Sequence, residues 1–233
     1  MGITKLIKAT LGGALSIGVL SSIAAAQDKP LEQRTEVNLA TASTPREQQI
    51  ELALSAAPAE VSSKATVYIL GPKGYEISRK GTNGFSCLIM RSFDEAKQTT
   101  SAPACFDAEG SRTILLVYLR REELRAKGES EAEITKDVAE GFRNGRFKIP
   151  GPGFLYMMSN DNYVYDSQSK RSVFAPPHLM FYAPYETAKD IGYGSISPTM
   201  VPYLTDPGTP EALIVVSAEK LNSDTSTANS HKH

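Results

Sequence analysis

Ala65-Thr66-Val67-Tyr68-Ile69-Leu70-Gly71-Pro72-Lys73-Gly74-Tyr75-Glu76-Ile77-Ser78-Arg79 decides the fold, together with Gly81-Thr82-Asn83-Gly84-Phe85-Ser86-Cys87-Leu88-Ile89-Met90-Arg91 just after it. Ala65 to Leu70 is rich in β-branched and aromatic side chains, which suit a pleated surface. Gly71-Pro72-Lys73-Gly74 is turn chemistry. Tyr75 to Arg79 then reads as a second strand, Asn83-Gly84 as a hairpin signal and Phe85 to Arg91 as a third strand. Alternation puts Phe85, Cys87 and Ile89 on one face of that third strand. The expectation here is an antiparallel meander.

Working outward, Thr44-Pro45-Arg46-Glu47 announces a helix on the N-terminal side. Thr44 can cap, Pro45 suits the first helical position and Glu47 completes a capping box. The helix is expected to run to about Ala57, with Ile50, Leu52, Ala53, Leu54 and Ala57 as its apolar face. On the C-terminal side, Thr113 to Leu119 is an apolar run that reads as a buried strand. A helical hairpin follows, with strong helix formers over 120–127, a stop at Gly128 and a second capping box at Ser130-Glu131-Ala132-Glu133. Ile134, Val138 and Phe142 line one face of its second helix. Short strands are expected at about Phe154 to Ser159, Tyr163 to Tyr165, His178 to Ala183 and Ala212 to Val216. This order of elements predicts an α+β fold, mostly an antiparallel sheet with an N-terminal helix and a central helical hairpin. Residues 44–218 are read as a single globular domain.

The ends read differently. Met1 to Lys8 carries Lys5 and Lys8 and no acid, and Ala9 to Ala26 is uncharged and ends in Ala24-Ala25-Ala26. That is the pattern of a secretory signal peptide over residues 1–26. Gly12, Gly13, Ser16, Gly18, Ser21 and Ser22 dilute its hydrophobicity, so a retained membrane anchor is the weaker reading. Residues 27–43 are read as a flexible lead-in and residues 219–233, rich in Ser, Thr and Asn, as a disordered tail. Cleavage would remove 26 of 233 residues, among them two lysines and no acid, and leave 207 residues of net charge −3. A chain with 41% apolar and 22% charged residues and so small a net charge is neither a disulfide-dense mini-protein, a polytopic membrane protein nor a basic nucleic-acid binder. The expected location is periplasmic or secreted, with no integral span after cleavage. Cys87 and Cys105, the only cysteines, are then expected to form a disulfide, which would hold the 92–104 loop to its flanking strands.

Nine of the 14 prolines fall between Pro150 and Pro210, and twelve of the 18 aromatics between Phe142 and Tyr203, so chemistry is sought there. The one internal histidine, His178, lies in Pro176-Pro177-His178-Leu179-Met180-Phe181-Tyr182-Ala183-Pro184-Tyr185. Strand alternation puts His178, Met180 and Tyr182 on one face. The candidate catalytic set is His178 as general base, Tyr182 assisting, and Glu186 or Asp190 orienting the imidazole. The candidate ligand-binding set is Tyr163, Tyr165, His178, Tyr182 and Tyr185, forming an aromatic pocket. The bland alternative is a half-buried histidine bonded to a backbone carbonyl. Ser159 to Asp166 carries oxygen ligands suited to calcium, yet lacks EF-hand spacing, and an Asn/Asp turn explains it more simply. Arg143, Arg146 and Lys148 suit a helix C-terminus better than an anion site. Gly151-Pro152-Gly153 is a poor phosphate cradle, and His231-Lys232-His233 reads as an inert tail. No nucleophile, metal or haem motif is present, so no cofactor or metal is assigned.

Three segments, Gly81 to Cys87, Ala104-Cys105-Phe106-Asp107-Ala108-Glu109-Gly110 and Pro177 to Pro184, together resemble a group of uncharacterised secreted bacterial proteins. The likeness spans roughly Ile50 to Val216. It implies export and paired cysteines and carries over no catalytic residue. The expected function is a secreted or periplasmic domain binding a small molecule or an envelope component, not nucleic acid. A hydrolase using His178 and a structural envelope protein are the alternatives.

Overall fold

Ser86–Met90 and Ala102–Phe106 are buried at every position, because other layers cover both faces of the sheet where they lie. The structure is a computed structural model and describes residues 43–91, 101–166, 171–192 and 202–218. Its helices are α1 (Arg46–Leu54), α2 (Ala59–Ser62), α3 (Ala108–Arg112), α4 (Ile114–Ala126) and α5 (Glu131–Arg143). Its strands are β1 (Thr66–Gly71), β2 (Gly74–Arg79), β3 (Ser86–Met90), β4 (Ala102–Phe106), β5 (Phe154–Met157), β6 (Tyr163–Asp166), β7 (Arg171–Phe174), β8 (His178–Tyr182), β9 (Tyr203–Thr205) and β10 (Leu213–Ser217). Eight strands form one sheet in the order β2-β1-β3-β4-β5-β8-β10-β9, and β6 pairs with β7. Within the sheet β1 and β3 are parallel and the other neighbours antiparallel, so the fold is α+β as expected.

The expected meander is not what forms. β1 lies between β2 and β3 and runs parallel to β3, so Asn83-Gly84 does not close a hairpin. After β2 the chain passes close under the start of β1. Gly81 donates to Thr66 Oγ1 at 3.0 Å, Thr82 N donates to Lys64 O at 2.8 Å and Asn83 Nδ2 to Val61 O at 2.8 Å. A Cβ at Gly81 would collide with the backbone of Ala65 and Thr66, so only glycine fits this crossing. The chain therefore arrives on the far side of β1.

Thr113 to Leu119 is not a strand either. α4 begins at Ile114 and includes most of that run. A short apolar run cannot distinguish a strand from a buried helix by periodicity. Here the helix formers after Leu119 extend back through it, and Ile114, Leu115 and Val117 enter the core. The helical hairpin itself forms as expected, and both halves of the Ser130/Glu133 capping box are present. α1 starts with Pro45, not Thr44, at the N-cap and ends at Leu54, short of Ala57. β4 takes up Ala102 to Ala104, read from sequence as loop. Alanine and proline are weak strand formers, and pairing with β3 overrides that preference.

Cys87 and Cys105 face each other across β3 and β4 and form the expected disulfide. They share a face with Val67 and Ile89, under Ala53 and Ala56 at the end of α1. The opposite face carries Leu88, Ala104, Phe106, Leu155, Met180, Leu213 and Val215 beneath Ile114, Leu115 and Val117 of α4 and Val138 of α5. Two buried polar groups hold these layers in place. Glu122, 4% exposed, pairs with Arg91 at 3.3 Å and Arg125 at 2.8 Å, tying α4 to the end of β3. Gln49 lies on the buried side of α1, where its side-chain amide both accepts from Leu70 N at 2.7 Å and donates to Leu70 O at 3.2 Å. It acts as a strand partner for the end of β1.

The expected signal peptide, the lead-in before Ser43, residues 92–100 of the bridged loop and the tail from 219 lie outside the described residues. Among the described residues no helix is long and apolar enough to cross a membrane.

Replacing Gln49 with Ala strands a buried N–H and C=O of Leu70. At 1 kcal/mol or more for each orphaned group, the expected loss is roughly 2 kcal/mol in urea unfolding. An unchanged unfolding midpoint would show that water or another group satisfies Leu70.

Candidate functional site

β8 is where the aromatic segment meets the core, and its register decides which side chains are accessible. Its neighbours are β5, with Leu155 opposite Met180 and Met157 opposite His178, and β10, with Leu213 opposite Tyr182 and Ser217 opposite His178. Directly opposed residues share a face. His178, Met180 and Tyr182 therefore turn toward the α4 and α5 side, and all three are buried.

His178 is 6% exposed, and its Nδ1 lies 2.6 Å from Pro176 O. Burial lowers the basicity of the imidazole, and the Pro176 contact partly offsets this. Nδ1–H donates to that carbonyl, which favours the charged ring, but burial outweighs it and favours the neutral one. Tyr182 shares the face but lies four residues along the strand, about 13 Å away at strand rise. Its hydroxyl donates instead toward Asp107 Oδ1 at 3.2 Å and Phe154 O at 3.0 Å. Burial and the adjacent Asp107 charge push the phenol well above its ordinary value, so it stays protonated. Glu186 is exposed on the loop after β8. Asp190 accepts from Thr187 N at 2.8 Å and Thr187 Oγ1 at 2.5 Å, which holds its carboxyl below the usual range. Neither carboxylate, nor Tyr182, bonds to the imidazole among the described residues. The proposed catalytic set is thus dispersed along β8 and its exit loop.

Tyr163 is 7% exposed and packs edge-on against Phe174, with ring centroids 5.9 Å apart. Tyr165 lies in β6, and its side chain is outside the described part of the structure. Tyr185 is 52% exposed and holds a left-handed backbone, φ 67°, fixed by its N–H donating to Thr209 O at 2.7 Å. Among the described residues, no contact joins Tyr163, His178, Tyr182 and Tyr185 into one pocket.

The segments Ala104 to Gly110 and Pro177 to Pro184 meet at Asp107. Asp107 Oδ1 also accepts from Gly110 N at 2.8 Å, capping α3, and Oδ2 accepts from Phe154 N at 3.1 Å. A Cβ at Gly110 would overlap the Tyr182 hydroxyl, and one at Gly153 would press on Asp107 and the Tyr182 ring. Gly151-Pro152-Gly153 wraps an anion after all, but the anion is the protein's own: Gly151 N donates to Glu109 Oε1 at 2.7 Å. The two arginines of the basic cluster are likewise engaged internally, Arg143 on Glu140 and Arg146 on Asp137 at 2.7 Å. In the turn before β6, Asn162 donates to Met157 O and Ser159 O at 2.7 and 3.0 Å, so its amide closes the turn. Among the described residues no three His, Cys, Asp or Glu side chains converge.

The opposite face of β5, β8 and β10 differs in kind. Phe154 lies opposite Phe181, Tyr156 opposite Leu179, Ile214 opposite Phe181 and Val216 opposite Leu179. α1 packs on β1, β3 and β4 of this side and stops short of β8 and β10. Phe181 is 39% exposed and the other five are half-buried. Four rings follow one another in a row: Phe85 to Tyr156 at 6.2 Å, Tyr156 to Phe154 at 5.0 Å and Phe154 to Phe181 at 6.0 Å. The sequence showed the aromatic concentration but not this row, because the row depends on which strands become neighbours. A second group missed from sequence is Arg121, paired twice with Glu211 at 2.8 and 2.9 Å, with Tyr118 beneath the guanidinium. Its members come from segments 90 residues apart, and no motif links them.

A scan against protein-family models finds no match to this chain, and searches of curated proteins and of solved structures find none either.

Two outcomes follow from the β8 geometry. Tyr182→Phe should cost about 1–2 kcal/mol of stability through the lost hydrogen bonds, measured by urea unfolding. An unaffected unfolding curve would free Tyr182 for another role. The second concerns pH. Folded His178 protonates below the 6.5 of an exposed histidine, so between these values only the unfolded chain takes up the proton. Stability should therefore rise with pH across that window, by at most about 1.4 kcal/mol per unit from this group. His178→Asn should flatten the slope, and an identical slope in the variant would assign the acid sensitivity elsewhere.

Proposed function

We propose that this chain is an exported, disulfide-stapled domain that binds a small apolar molecule at the Phe181 end of the outward face of β5, β8 and β10. The observation that carries this reading is the ring row Phe85, Tyr156, Phe154 and Phe181, flanked by Leu179, Ile214 and Val216 and open at its Phe181 end. Aromatic rings supply large contact area at low conformational cost, and Phe181 presents this row to solvent. The acid–base groups of β8 support binding over turnover, since His178 and Tyr182 are bonded inside the fold. A buried disulfide suits an oxidising compartment, and with the N-terminal signal pattern it supports a periplasmic or secreted location.

Native mass spectrometry of the purified protein tests this. A retained small molecule is expected in the wild type and in His178→Asn, and is expected to be lost in Phe181→Asp. Retention in Phe181→Asp with loss in His178→Asn would reverse the assignment.

A further inference from the structure

The chain holds two Asn-Gly steps, Asn83-Gly84 and Asn144-Gly145, and we propose that the second is a site of spontaneous covalent modification while the fold protects the first. In such a step the main-chain nitrogen of the glycine attacks Cγ of the asparagine. A Cγ–N bond forms, the Cγ–Nδ2 bond breaks, and ammonia leaves with the proton that the glycine nitrogen gives up. Water then opens the five-membered imide. Cleavage at Cγ leaves aspartate. Cleavage at the main-chain carbonyl leaves isoaspartate, with the backbone running through the former side chain. Glycine permits the attack because no Cβ blocks the approach. Water is the co-reactant, and no oxidant or reductant is consumed.

The two steps are matched locally. Gly84 and Gly145 both hold φ 80°. Each asparagine Oδ1 accepts from the main-chain N–H two residues on, Asn83 from Phe85 N at 3.1 Å and Asn144 from Arg146 N at 3.0 Å. The tertiary hold differs. Asn83 is half-buried, and its Nδ2, the group that would leave, donates to Val61 O at 2.8 Å. Thr82 N beside it donates to Lys64 O at 2.8 Å, and a Cβ on Gly84 would come within 3.3 Å of Ala108. Asn144 is exposed at the C-cap of α5, and its Nδ2 makes no hydrogen bond among the described residues. Gly145 and Arg146 are exposed as well, and nothing lies within 4 Å of a Cβ built on Gly145. Gly145 N donates to Phe142 O at a long 3.3 Å.

Both steps must rotate to bring the glycine nitrogen onto Cγ. At an exposed helix end that rotation is a fraying motion of low cost. At Asn83 it must break the Val61 bond and shift the crossing beneath β1, which should slow conversion about tenfold or more. The product at Asn144 places a new negative charge beside Arg143 and Arg146. Its isoaspartyl form adds one methylene to the main chain between α5 and the buried Phe147.

Peptide mapping by mass spectrometry of the folded protein, aged in mildly alkaline buffer, reads the exchange of NH2 for OH at each asparagine. The expected result is conversion at Asn144 faster than at Asn83 by that margin, with the difference largely abolished when the chain is aged in urea. Equal rates in the folded protein, or faster conversion at Asn83, would overturn the proposal. Absence of conversion at Asn144 in the folded protein, while the urea-unfolded chain converts there, would also overturn it. A preference for Asn144 that persists undiminished in urea would assign the selectivity to local sequence and overturn protection by the fold.

Discussion

Asp107 accepts hydrogen bonds from three parts of the chain at once: Gly110 N in the first turn of α3, Phe154 N at the start of β5 and the Tyr182 hydroxyl at the end of β8. These contacts hold the helical insertion, β5 and β8 in one arrangement. They also set a parity. With Tyr182 turned inward to reach Asp107, strand alternation turns Met180 and His178 inward and Phe181 and Leu179 outward. A slip of one residue would exchange the two sets. The glycines at 110 and 153 belong to the same constraint, because any side chain there would displace the tyrosine ring.

The consequences run outward through the sheet. β10 copies the parity of β8 through its register, so Leu213 and Val215 join the core while Ile214 and Val216 stay half-buried. β5 does the same with Leu155 inward and Phe154 and Tyr156 outward. Helices on both faces bury β3 and β4 entirely, and the disulfide joins them at the centre. Beyond α1 the outward face is half-buried, and the aromatic row meets solvent at Phe181. One half-buried carboxylate on one side of the sheet thus determines what is offered on the other.

Local signals in the sequence were strong where residues act on their near neighbours. The Ser130 capping box, the cysteine pair, the side-chain alternation in β3 and the strand at His178 could all be read from spacing alone. Signals failed where distant segments decide the outcome. The parallel pairing of β1 with β3 depends on a crossing beneath Ala65, and the strand character of Ala102-Pro103-Ala104 on pairing with β3. The helical state of Ile114 to Leu119 depends on its neighbours in the core. The site follows the same rule. The sequence placed His178 and Tyr182 on one face correctly, but the partners they would find there were beyond its reach. Their shared face is the interior one, and Asp107, 75 positions from Tyr182, takes the hydroxyl. The row from Phe85 to Phe181 spans 96 positions, from the entry of β3 through β5 to β8, so no window of sequence contains it.

Hydroxyl-radical footprinting of the ligand-free protein, read by mass spectrometry at single residues, tests this parity most directly. The account predicts rapid oxidation of Phe181 and Tyr185 in the folded protein. His178, Tyr182 and Tyr163 should remain protected until denaturant unfolds the chain. Modification of His178 and Tyr182 at the rate of Tyr185, with Phe181 protected, would contradict it and place the opposite face of β8 in contact with solvent.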